Sequence, residues 1–352
     1  MCYNRLVEPN RPFVYQPNQG RRERRSLRLR PLNVGEIIDE ALDLYRKNFK
    51  LLLGVIVIPT IPFLLLAALV APPLIYYFYS LSNTAKAPSP EQILGMMAVF
   101  VPLMIIGAVL YWLIDAIQYG ASALAISDKY LNEQSSIKSV LGRVWKILFR
   151  LAGARLLILA PMTLVFTTAT FLMLFFIGLM SETPNADSSV GIALVMMVLF
   201  FSGIFLAMIV MLGVYVWFLF VTQIVVIEGR SIVNALARSI ILIKGNFWRV
   251  FGIYLLLAIV VGVIQQMISY AIMLPATALT GSMGQSNPTV PMVAMAITYI
   301  ASAAVNLLIM PIISGCITLL YYDLRVRKEG FDLEVLAREM GKKTAPDTQA
   351  TL

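Results

Sequence analysis

Apolar residues run through this chain in six long blocks, separated by short stretches of mixed character. The first is "LLLGVIVIPTIPFLLLAALVAPPLIYYFYS" (51–80), and the others cover about 93–127, 152–180, 190–227, 248–280 and 291–322. Each exceeds the ~20 residues a helix needs to cross the apolar layer of a bilayer. The pattern therefore predicts an all-α integral membrane protein with about six transmembrane helices. Several blocks pass ~25 residues, which calls for tilt, a kink or a helix end that protrudes from the bilayer.

Three of the mixed stretches resemble one another: "NVGEIIDEALDLYRKNFKLL" (33–52), "SIKSVLGRVWKILFRLAG" (136–153) and "SIVNALARSIILIKGNFWRV" (231–250). Aligning Asn48-Phe49 with Asn246-Phe247 pairs Val34 with Ile232, Ile38 with Leu236, Leu44 with Leu242 and Arg46 with Lys244. The middle copy lacks the Asn-Phe pair but places Ile137, Leu141 and Ile147 correspondingly. Each begins on a residue suited to cap a helix, Asn33, Ser136 or Ser231. In the first copy Asn33 and Glu36 have capping-box spacing, and acids (Glu36, Asp39, Glu40, Asp43) precede bases (Arg46, Lys47, Lys50), as the helix dipole prefers. Ile37, Ile38, Ala41, Leu42, Tyr45 and Phe49 fall on one helical face. Such an amphipathic helix can lie in the membrane interface. The third copy then turns at Gly245-Asn246 and dives inward, with Trp248 at headgroup depth.

The predicted architecture is three repeats of an amphipathic elbow helix plus a helical hairpin, at about 33–128, 135–228 and 230–323. They form a six-span domain over 31–327. A basic arm (1–30), expected to be disordered, precedes it. A tail (328–352) follows, with a short helix capped by Asp332.

Charge supports the same layout. Of the 28 lysines and arginines, all but Lys86 fall in residues 1–50, 129–155, 230–249 and 325–343. These segments alternate with the nearly uncharged connections of a six-span chain, and the positive-inside rule places the basic set in the cytoplasm. Both termini are then cytoplasmic, in the cytoplasmic (inner) membrane. This asymmetry accounts for the net charge of +9, so nucleic-acid binding is not needed to explain it. The arm "RRERRSLRLR" (21–30) suits anionic lipid of the cytoplasmic leaflet. No signal peptide is expected, because the first apolar run is far longer than an h-region. Cys2 and Cys316 are too differently placed to form a disulfide framework.

The segments "RPLNVGEIIDEALDLYRKNF" (30–49), "IEGRSIVNALARSIILIKGNFWRVFGIYLLL" (227–257) and "LLYYDLRVRKEGFDLEVLA" (319–337) resemble a family of prokaryotic polytopic membrane proteins. It is labelled the glycerophosphoryl diester phosphodiesterase membrane domain family, alongside membrane domains of unknown function. The resemblance runs from about Arg30 to Met340 and implies the multi-span layout. It does not carry the activity in the label. The phosphodiesterases concerned use a separate soluble barrel with histidines and carboxylates around a divalent metal. This chain has no histidine, and its non-spanning ends fall far short of the ~200 residues of such a barrel.

Absence of histidine also removes the commonest general base and zinc ligand. No nucleophile elbow, phosphate loop, dinucleotide fingerprint or C-x-x-C is present. No cofactor is expected, and the chain reads as a non-enzyme. Asp115, in "VLYWLIDAIQYG", reads as the one ionisable group well inside a span. Counted from a helix exit near Ser127 it lies about 18 Å deep, with no intramembrane lysine or arginine to pair with it. Gln118, Gln265, Gln266 and Asn306 are its candidate neutral partners. The ends of the even-numbered spans carry Asp128, Glu228 and Asp323, readable as latches between repeats or as ordinary interfacial charges.

The leading functional expectation is a membrane module that binds lipid or partner proteins, or a second copy of itself, in membrane or envelope assembly. The alternative is a transporter of a small solute or lipid with Asp115 near its path. A transporter requires a continuous polar route through the spans. A module requires polar groups confined to the basic surface above sealed helix interfaces.

Overall fold

The computed structural model describes residues 31–82, 89–181, 186–283, 289–331 and 333. The basic arm, Lys86, Asp332 and the tail beyond it lie outside the described residues. Among those described there is no strand. Ten α-helices follow in order: α1 (Val34–Lys47), α2 (Phe49–Ser82), α3 (Pro90–Tyr130), α4 (Ile137–Lys146), α5 (Leu148–Ser181), α6 (Ala186–Trp217), α7 (Val221–Gln223), α8 (Ile232–Ile243), α9 (Phe247–Met283) and α10 (Thr289–Glu329). A π turn over Ile224–Glu228 continues α7. Six helical stretches are long and apolar enough to cross a membrane, as the hydropathy pattern predicts.

Each short helix α1, α4 and α8 stands before two long ones, and a sharp joint separates it from the first. Asn48 forms the first joint, where its N–H and its side-chain amide both donate to the Leu44 carbonyl at 3.0 and 3.1 Å. Ile147 forms the second. In the third, Lys244 closes α8 and Gly245 takes a φ of 87°, a left-handed conformation that glycine adopts without a Cβ penalty. The starts are capped as their sequences dictate. The Asn33 N–H donates to Glu36 at 2.8 Å, and the Ser136 hydroxyl accepts from the Ser139 N–H at 3.3 Å. The short helices bury residues every three or four positions: Ile37, Ala41 and Leu44 in α1, Val140 and Val144 in α4, Ala235, Ser239 and Leu242 in α8. These are the inward faces; Val233, Ile241 and Trp145 point outward and are exposed.

The second long helices, α3, α6 with its continuation, and α10, meet in the centre at one end of the molecule. Their packed segments, Ala116–Asp128, Val216–Val225 and Met310–Leu324, supply nearly half of the buried core. Small residues let the helices close. Gly120 sits against the side chains of Leu151 and Val226, and Gly315 lies against Ala41 of α1, the close approach expected where helices pack within lipid. Hydroxyls bridge the centre, Ser122 to Ser314 at 2.7 Å and Ser127 with Tyr322 at 2.6 Å. Tyr321, Tyr322 and Phe220 fill the space between them with no exposure above 1 %. Toward the other end the same helices separate. Met104, Ile105 and Ile106 of α3 are all exposed, as are Met197, Val198 and Leu199 of α6. Three consecutive helical residues point in three directions, so these stretches offer apolar surface around most of their circumference.

The fourth span is not one continuous helix. Between α6 and α7 the bonding tightens to i→i+3 at Phe218, Leu219 and Val221, and no proline stands there. The carbonyl of Trp217 freed by this break accepts the Ser239 hydroxyl of α8 at 2.8 Å. Periodicity does not reveal the break, because its apolar run is unbroken.

Close packing at Gly315 makes a test. Gly315→Leu should destabilise the protein by about 1–3 kcal/mol through overpacking against Ala41 and Ile126. Gly203→Leu, at a glycine with open space around it, should be near neutral. Thermal unfolding of both variants in detergent measures the difference, and equal melting points would contradict the packing.

Candidate functional site

All lysines and arginines among the described residues belong to the packed end of the molecule or its joints, and three carboxylates are held among them. Asp128, at the end of α3, is buried and takes both terminal nitrogens of Arg143 on α4. Glu228, ending the π turn, accepts the Tyr321 hydroxyl of α10 at 2.6 Å and pairs with Arg230 at 2.6 Å and with Arg238 of α8 at 3.5 Å. Arg238 reaches on to Glu329 at 2.5 Å. Asp323 of α10 has a fully buried side chain. It accepts the Leu32 N–H at 2.7 Å and pairs with Arg249 of α9 and Arg327, each at 2.9 Å. Both arginines also donate to the Leu32 carbonyl, at 2.8 and 3.1 Å.

The three acids therefore occupy matching positions. The first joins the α1–α3 unit to α4, the second joins the π turn to α8 and α10, and the third joins α10 to the residue before α1. Leu32, two residues before α1, is thereby held against the end of α10. Asp128 and Asp323 are buried and Glu228 is half-buried, and each is held by a group from another helix or from the residues before α1.

Asp115 has a partner that the sequence reading denied it. Arg155 of α5 donates Nε and Nη2 to one carboxylate oxygen of Asp115, at 2.9 and 2.8 Å, and its guanidinium lies 3.9 Å over the Tyr119 ring. Both side chains are largely buried, at 6 % and 13 % exposure. An ionised acid in an apolar layer is costly alone and tolerable when paired, and a stacked, doubly donating arginine is the strongest partner available. By its position Arg155 closes the basic segment 129–155. An arginine this close to a span's start can snorkel to the surface, so its sequence position alone does not show which way it turns. Depth changes too. Gly120 is level with Leu151, so α3 runs about two turns past the α4–α5 joint. Measured from Leu148, the Asp115–Arg155 pair lies about 10 Å along α5, at 1.5 Å per residue.

The neutral partners proposed for Asp115 serve elsewhere. Gln118 donates to Thr60 Oγ1 at 2.7 Å and to the Ile56 carbonyl at 3.3 Å, within the α2–α3 hairpin. Gln265 is half-buried, Gln266 and Asn306 are exposed, and the hydrogen bonds of Asp115 go to Arg155. Tyr215 of α6 and Tyr254 of α9 stack 5.2 Å apart on the same flank. Trp112 Nε1 and Gln223 Oε1 are buried polar atoms without a partner in the structure; nothing in the sequence singles them out.

No group of three or more metal-binding side chains exists among the described residues. Six apolar helices, a charged end and an ion pair within the spans define a helical multi-pass membrane protein. Its chain belongs to the family described as Domain of unknown function (DUF7847), whose model matches residues 32–324. Comparison with curated proteins and with solved structures finds no match. The phosphodiesterase label therefore stays a resemblance of motifs.

The ion pair yields a double-mutant test. Arg155→Met leaves Asp115 unpaired and should cost about 3–5 kcal/mol, whereas Asp115→Leu with Arg155→Met should recover most of that loss. Melting of the four proteins in one detergent measures the coupling, and simply additive losses would show that the two side chains do not depend on each other.

Proposed function

We propose that this protein is a non-enzymatic membrane module, built of three repeats, that binds lipid or partner proteins and supports membrane or envelope assembly. The observation that carries this reading is the division of the molecule into two ends. Charged groups gather at the basic end, above a centre filled by Phe220, Tyr321 and Tyr322. Beyond the Asp115–Arg155 layer the spans offer apolar surface on most sides. A filled centre under a charged surface is what a module requires and what a transporter, in this state, does not provide.

The charge distribution orients the basic end toward the cytoplasm by the positive-inside rule. There the elbow helices α1, α4 and α8 lie along the interface. Exposed Trp145, Phe149 and Trp248 stand beside Lys146, Arg150 and Arg249, a combination suited to the headgroups of anionic lipid. The non-enzymatic reading rests on the lack of histidine and of any nucleophile motif. Transport with Asp115 as a proton site has less to support it, because Arg155 already occupies that carboxylate with two hydrogen bonds.

Native mass spectrometry of the detergent-purified full chain tests the proposal. A lipid or a polypeptide retained at fixed stoichiometry is the expected result. A bare chain carrying bulk lipid only, together with pH-dependent solute uptake in liposomes that Asp115→Asn abolishes, would overturn it in favour of transport.

A further inference from the structure

One cavity lies at the seam closed by Asp128. It has a volume of about 340 Å³ and opens where the end of α3, the α4–α5 joint and the π turn meet. Ser127, Asp128, Glu133 and Arg143 supply its polar groups, while Ile147 and Val225–Ile227 are among its apolar walls.

The charge of this cavity is opposite to that of its surroundings. Asp128 and Arg143 neutralise each other through two hydrogen bonds. Glu133 is exposed at the rim, and no lysine or arginine among the described residues forms an ion pair with it. One negative charge is thus left over, on a chain whose net charge is +9. Two helix C-termini add to it, since α3 ends at Tyr130 and the π turn at Glu228, and carbonyl ends carry partial negative charge. The rim loop also leaves the Ser135 hydroxyl buried without a partner. A π turn lining a cavity is itself a feature that recurs at functional sites.

A cation is the favoured occupant, and the walls narrow its kind. A hydrated metal ion would want several oxygen ligands, and no group of three or more metal-binding side chains exists among the described residues. An alkylammonium group suits the mixed lining better, with its charge toward Glu133 and its methylenes against Ile147 and the valines. Position narrows it further. Ile147 is the joint between α4 and a spanning helix. Lys146 and Arg150 stand beside that joint, Arg150 with one nitrogen on the Gly229 carbonyl at 3.0 Å, and bases there are placed for a phosphodiester. We infer that the cavity takes the ammonium of an amine-bearing phospholipid headgroup, its phosphate lying against Lys146 and Arg150. This inference rests on the lipid-binding reading above and names the ligand class.

The test uses the full chain in detergent, with phosphatidylethanolamine and phosphatidylglycerol added at equal concentration and adducts counted by native mass spectrometry. One phosphatidylethanolamine should be retained in preference. Glu133→Gln, at an exposed position outside the core, should weaken that retention about ten-fold, the scale of one lost charge-assisted contact. Glu133→Lys should turn the preference toward phosphatidylglycerol, and melting points should be unchanged in both variants. Soluble phosphoethanolamine is the control for source: binding as tight as that of the lipid would overturn the lipid assignment. Equal retention of the two lipids, or retention indifferent to Glu133, would overturn the site while leaving a lipid-binding module intact. A wild-type chain that retains neither lipid would overturn both the site and the lipid-binding half of the proposed function, leaving only partner-protein binding.

Discussion

Pairing of three carboxylates, two of them buried, is the constraint on which the rest of this structure depends. A carboxylate withdrawn from water without a partner is strongly destabilising, so buried Asp128 and Asp323 and half-buried Glu228 each demand donors, and in every case at least one donor comes from another helix or from the residues before α1. Arg143 is carried by α4, Arg238 by α8, and the Leu32 N–H by the residues that open the first unit. Meeting those demands sets the short helices against the ends of the long ones and brings the two ends of the domain together. Apolar packing alone would not select this arrangement, because within lipid one apolar helix face has little reason to prefer another over the surrounding acyl chains.

The same constraint accounts for the uneven packing along the spans. At the charged end, hydrogen bonds and ion pairs specify which helices touch, and small residues such as Gly120 and Gly315 let them approach. At the other end the described residues are almost wholly apolar, with exposed leucine, methionine and valine on several sides of each helix. Among the described residues, the Asp115–Arg155 pair marks the last polar tie between α3 and α5 before that region begins. Stability and specificity are therefore concentrated in one half of the molecule.

Much of this could be read along the chain. Six spans follow from block length, and the joints follow from local chemistry at Asn48 and at Gly245-Asn246. Asp128, Glu228 and Asp323 stood out as acids among bases at the ends of spans. Their separate partners did not, since Asp323 and Leu32 lie 291 positions apart. Asp115 was legible as an anomaly, yet its partner was not: an arginine within two turns of a span's start can face water, headgroups or a neighbouring helix with equal ease. The break in the fourth span was silent because it is made by hydrogen bonds, the Trp217 carbonyl turning to Ser239, with no proline to announce it.

What the sequence by itself determined is the solvent and the layout. Hydropathy over some twenty residues, charge asymmetry between loops and local capping are properties of contiguous segments, and contiguous segments are visible in one dimension. Tertiary structure alone decided which charges face each other, which helices meet in the centre and where a cavity is left between α3, α4 and the π turn. Those outcomes depend on side chains dozens to hundreds of positions apart arriving at the same depth and the same angle, and no local pattern encodes that register.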